Sequence, residues 1–192
     1  VTLEMLEWIW KRRGIGLTRW KAIATAVVLQ VFFLLRISDF GAQDSRTVSE
    51  FILKVHQVKF WNKGKRCKWS EEPDEVSIEG DGDKVSNQPW YRNHFATGGE
   101  RCPVRAKAEW FCLIDGKVSG ECPVFTVPPA DGERVQAGDQ ANALCVSRLE
   151  VCQAIKAAAV ANGDKAASYS SHSGRIGGAT LLLKAGAPVS MI

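Results

Sequence analysis

No two cysteines of this chain are spaced Cys-x-x-Cys, no histidine has a second ligand residue at metal-binding spacing, and no apolar run is as long as a membrane span. Each absence removes a class of function. Cys67, Cys102, Cys112, Cys122, Cys145 and Cys152 are scattered, and no secretory signal precedes them. Free thiols in a reducing compartment are therefore expected rather than a disulfide framework. His56 and His94 stand without paired ligands, which argues against structural zinc. The most apolar stretch, residues 22–35, is interrupted by Thr25 and Gln30 and falls short of the roughly 20 residues a bilayer span requires, so it is expected to be a core helix. These exclusions argue against a membrane partner and a structural metal; the expected compartment is intracellular, and the nucleus if the source is eukaryotic. No internal repeat or low-complexity tract interrupts it.

What is present fits one globular domain spanning residues 1–192. Hydrophobic residues make up 45% and charged residues 24% of the chain, ordinary values for a packed core. Net charge is only +4, but it is unevenly placed. Residues 1–70 hold 13 Lys/Arg against 5 Asp/Glu, whereas 71–83 hold seven acids and no base. The basic first third suits nucleic acid; the acidic run does not.

Periodicity predicts an α+β fold, mainly α-helical with a small antiparallel sheet. Leu3, Leu6, Ile9 and Trp10 mark an amphipathic helix over 1–13. From Thr18 a long helix with a wide apolar face runs to Leu35 and directly into Arg36-Ile37-Ser38-Asp39-Phe40. An arginine ending so apolar a helix would be largely desolvated and would need a partner, for which Asp39 is nearest. Residues 51–62 alternate as a strand, with Ile52, Lys54, His56, Val58 and Phe60 on one side, and 62–65 close it with a turn. A second strand near 75–79 leads into Gly80-Asp81-Gly82-Asp83-Lys84, which lacks the later ligands of a calcium loop and reads as a hairpin tip. A helix is expected from Cys102-Pro103 to about Leu113, then a Gly/Pro-rich loop over 116–138. Ser147 and Glu150 form a capping box for a helix ending at Asn162-Gly163. The last helix starts near Ser171, projects His172 and Arg175 from its first turn, buries Ala179, Leu182 and Leu183, and stops at Gly186. Its first turn offers backbone N–H groups and the positive dipole end to an anion.

Three basic points stand out: Arg36, Lys84 and the His172/Arg175 pair. The motifs that carry them are Leu35-Arg36-Ile37-Ser38-Asp39, Gly82-Asp83-Lys84 and His172-Ser173-Gly174-Arg175 with Gly177-Gly178-Ala179-Thr180. Together, and in this order, they resemble the catalytic domain of the tyrosine recombinase (phage integrase) family. The Gly-Asp-Lys turn and Cys102-Pro103-Val104 are most similar to crypton-type recombinases of eukaryotic transposons. The likeness covers residues 20–192, and Lys63 and Lys65 compete with Lys84 for the hairpin-lysine role.

The resemblance implies site-specific DNA recombination or integration through a 3′-phosphotyrosine intermediate. Arg36 and Arg175 would bond the non-bridging oxygens of the transition state, as bidentate guanidiniums can. Lys84 would protonate the leaving 5′-oxygen, and His172 would move the proton of the nucleophile. No metal or nucleotide cofactor is required, the substrate is duplex DNA, and the active species is a homo-oligomer on DNA. Gly174 stands where the family usually has leucine, and Ile176 where a second arginine is common. The family's third His/Trp and its nucleophilic tyrosine would lie past Ile192, and neither Tyr91 nor Tyr169 occupies a matching position. The expectation is therefore a fragment that does not cleave DNA by itself. The alternative is a non-catalytic duplex-DNA-binding remnant of a mobile-element recombinase.

Overall fold

Helix α2, Thr18–Phe32, is the element around which the others pack: every residue from Ala22 to Val31 is buried, including Thr25 and Gln30. The apolar spacing predicts a wide buried face, and the structure surrounds the helix instead, with α1 (Leu3–Lys11), α3 (Pro103–Ile114), α5 (Arg148–Ala161) and α6 (Ser173–Lys184) all against it. The computed structural model describes residues 1–12, 18–43, 47–82, 88–99, 102–130 and 132–187. Within these residues the architecture is α+β, and no helix is long and apolar enough to cross a membrane.

Helix α1 begins on Thr2, whose side chain accepts the Met5 N–H, and buries Met5, Leu6, Ile9 and Trp10 at the expected spacing. Helix α2 ends earlier than the apolar run, because Leu34 turns into the left-handed region with φ 53°. Two side chains from strand β4 (Trp90–Phe95) occupy the carbonyls this exposes. His94 Nε2 donates to Phe32 O at 2.6 Å, and Arg92 donates to Phe33 O. A polar partner at these orphan carbonyls lets a buried helix stop without cost. Burial holds His94 below its ordinary pKa, with the Phe32 carbonyl opposing.

The sheet has the order β2-β1-β3-β4 and is antiparallel throughout. Strand β1 covers only Val58–Asn62, since residues 55–57 form a 3-10 turn in which the Gln57 side chain takes the Lys54 N–H at 2.8 Å. Lys63 (φ 50°) and Gly64 (φ 73°) make the tight turn to β2, Lys65–Cys67. Strand β3, Glu75–Gly80, lies where the alternation puts it. Strand β4 has no signature in the sequence because its residues are largely exposed and polar, yet it pairs with β3 from Gly80↔Trp90 to Glu75↔Phe95. A side chain at Gly80 would meet the Trp90 indole, 2.1 Å from its ring.

Helix α3 starts at Pro103, and α5 is closed by the Ser147–Glu150 box, as their residues dictate. Between them residues 116–130 and 132–138 are irregular, with a buried interior of Val118, Cys122, Val124, Phe125 and Val127. A short helix α4, Asp139–Leu144, follows.

The buried face of α6 differs from the expected one. Leu183 is 49% exposed and Ala179 and Leu182 are only half-buried; Gly174, Gly177 and Gly178 are the buried positions. Gly178 fits so closely that a Cβ there would lie 2.0 Å from Val31 O of α2. Glycine is needed for backbone-to-backbone approach at this crossing, so α6 touches α2 by its small residues rather than by its leucines. Gly186 ends α6 with φ 83°, and Ala187 N–H reaches Leu182 O.

Candidate functional site

Arg36 directly follows Leu35, to which the apolar periodicity extends α2, and lies four residues past the observed helix end at Phe32. It lies in extended backbone (φ −75°, ψ 150°) before a 3-10 turn, Ile37–Asp39, and is half-buried rather than desolvated. Asp39 is its local partner, through the main chain: Asp39 Oδ2 accepts the Arg36 N–H at 2.7 Å. This bond folds the box back on itself and presents the carboxylate among arginines.

Burial raises the Asp39 pKa, and it is opposed by the Arg36 N–H bond and by the positive charges of Arg36, Arg92 and Arg175. The positive charges of three arginines from separate elements thus act on one half-buried carboxylate. Arg36 comes from the turn after α2, Arg92 from β4 and Arg175 from the first turn of α6.

His172 is the N-cap residue of α6, exposed, with no capping bond from its side chain. The helix start is fixed instead by Ser170, whose Oγ accepts the His172 N–H at 3.3 Å, and by Ser173, whose Oγ accepts the Ser170 N–H at 2.8 Å. The imidazole is left to face a cleft of about 350 Å³ lined by Arg36, Ser38, Gln43, Arg148 and His172. The two boxes, 136 residues apart, therefore meet at one cleft.

Lys84 lies outside the described residues, in the connection between β3 and β4. Its competitors, Lys63 and Lys65, belong to the β1–β2 hairpin at the sheet edge opposite β4, whose Arg92 and His94 reach the end of α2. Tyr169 donates its hydroxyl to Asp164 Oδ2 at 2.9 Å, and this bond raises its pKa. Tyr91 is exposed on β4, on the opposite side of the strand from Arg92 and His94.

Sequence reasoning missed Arg92 and Arg148. Arg148 carries a signal, since it sits inside the capping box beside Ser147; Arg92 carries none, because its strand does not alternate in polarity. Among the described residues there is no group of three or more His, Cys, Asp or Glu that could hold a metal ion, and the described cysteines are free thiols. No protein-family model, curated protein or solved structure matches the chain.

Proposed function

We propose that this chain is the phosphate-binding part of a tyrosine recombinase catalytic core, acting on duplex DNA. The observation that carries the reading is the meeting of Arg36 and His172 on one cleft, beside an Asp39 carboxylate on which the charges of both Arg36 and Arg175 act. Two guanidiniums around one anion site match a phosphodiester transition state, in which charge builds on two non-bridging oxygens. Asp39 fixes the Arg36 main chain through its N–H. His172, exposed at the start of α6, is assigned to accept the proton of an attacking tyrosine. Lys84 is assigned to the leaving 5′-oxygen by its motif alone. The step joins a tyrosine oxygen to phosphorus and breaks the bond to the 5′-oxygen, which leaves as a hydroxyl; rejoining reverses it on another strand.

Neither tyrosine of the chain suits the role of nucleophile: Tyr169 is committed to Asp164, and Tyr91 faces away from Arg92 and His94. The attacking tyrosine is therefore assigned to other residues, and the working species is a homo-oligomer on DNA. The same two side chains favour the second reading, a DNA-binding remnant without cleavage.

A nicked suicide duplex separates them. The chain extended by a family-like tail ending in tyrosine should form a covalent adduct that survives denaturation and is lost on Arg175→Ala. No adduct with any tail supports binding without cleavage.

A further inference from the structure

We infer that Arg148 is a further phosphate-binding residue of the cleft, holding the backbone phosphate next to the one assigned to Arg36 and Arg175. The inference rests on the DNA-binding reading above and extends it to a residue outside both boxes. Arg148 is the first residue of α5, whose start is fixed by the reciprocal Ser147–Glu150 bonds. Its side chain is exposed and lines the cleft with Arg36 and His172. One nitrogen holds it there: Nε donates to Ser171 Oγ at 3.0 Å. Ser171 is itself only 1% exposed, and its carbonyl takes the Gln30 Nε2 donor of α2 at 2.6 Å. Arg148 is thus tethered to the residue immediately before His172, which is in turn tethered to the core.

A guanidinium has five N–H donors. The Ser171 bond uses the one on Nε, and no carboxylate pairs with Arg148 among the described residues. The two terminal nitrogens remain for a ligand. Arg19, on α2, is the contrast: its Nε and one terminal nitrogen bond both oxygens of Glu150 at 2.7 Å, and its terminal nitrogens also bond the Leu144 and Cys145 carbonyls. Arg19 is committed to the fold, whereas Arg148 is oriented by the fold and left with free donors. A cationic fork held by one bond, facing a positive cleft, fits a phosphate oxygen better than any other ligand group in duplex DNA.

The test is fluorescence anisotropy of a labelled mixed-sequence duplex, titrated with the protein over a range of NaCl concentrations. Variants are Arg148→Ala, Arg148→Gln, Arg148→Lys and, away from the cleft, Lys117→Ala. Arg148→Gln keeps a hydrogen-bond donor for Ser171 and guards against a fold-based loss. Loss of one phosphate contact lowers the slope of log K against log salt by about 0.9. Arg148→Ala and Arg148→Gln should both show that drop, while Arg148→Lys and Lys117→Ala keep the wild-type slope. If the wild type binds with a steep slope and Arg148→Gln matches it, the inference is wrong and the reading of the cleft stands. A drop that Arg148→Lys fails to restore also overturns it, because it assigns the effect to the Ser171 bond. If the wild type shows no salt-dependent binding, both fall.

Discussion

Gly174 lies against Gln30 with no room for a side chain: a Cβ at position 174 would fall 2.1 Å from Gln30 Oε1 and 2.6 Å from its Cδ. Gly174 is thus matched to a buried glutamine of α2. Gln30 in turn holds the Ser171 carbonyl just ahead of His172. The glycine and the glutamine form one device that sets the second box on the first.

Gly174→Ala should destabilise the protein despite the helix propensity alanine adds, which is about 1 kcal/mol. Forcing a methyl into this contact should cost about 1–3 kcal/mol, and Gly174→Leu more. In a Gln30→Ala background the same Gly174→Ala change should cost clearly less, since the two side chains share the space. Urea unfolding of the four proteins in the cycle measures it; strictly additive effects would remove the coupling.

Glu150 links two elements: its carboxylate caps α5 through the Ser147 N–H and hydroxyl and clamps Arg19 of α2. Burial would raise its pKa, but the Arg19 and Ser147 bonds outweigh this and hold it below the ordinary glutamate value of 4.5. A depressed carboxylate gives stability that is present above the unfolded pKa and is lost as pH falls through the folded one. Stability should therefore decline below about pH 4.5, and Glu150→Gln should flatten that part of the profile while costing on the order of 1–2 kcal/mol at neutral pH through the damaged cap. Thermal melts from pH 3 to 7 decide it.

Lys107 of α3 is fully buried, and its Nζ has no hydrogen-bond partner among the described residues. The Phe125 and Phe111 rings lie 5.7 and 5.9 Å from it. Burial drives its pKa well below 10.5, with no charge opposing. The unfolded chain then holds a proton the folded one releases, so Lys107 penalises folding below the unfolded pKa, and the penalty fades as pH rises toward it. Lys107→Met should stabilise the protein at neutral pH by about 1–3 kcal/mol, the cost of an unpaired buried polar group. It should also abolish the rise in stability on the alkaline side, which denaturant midpoints at pH 7 and 10 measure.

The helices were legible wherever local chemistry sets them. Pro103, Ser147 with Glu150, and Gly186 each act within a few residues of the boundary they mark. The end of α2 was not, because the apolar run continues through Leu35 while the partners that stop the helix, Arg92 and His94, come from β4, some 60 residues on. The leucines of α6 misled for a related reason. Their spacing is that of a buried face, but close approach to Val31 O selects the glycines. In the site, Arg36, His172 and Arg175 could be picked out by motif, whereas Arg92 and Arg148 become site residues only through the tertiary fold.

The claim that Arg36 and Arg175 serve one phosphate is tested most directly by a double-mutant cycle on duplex DNA affinity at low salt. Arg36→Ala and Arg175→Ala should each weaken binding, and the double variant should lose less than the sum of the two, with a coupling of at least about 0.5 kcal/mol. Circular dichroism should show all three variants folded. Losses that add strictly would place the two arginines on separate contacts, and unchanged affinity in both single variants would contradict the clamp altogether.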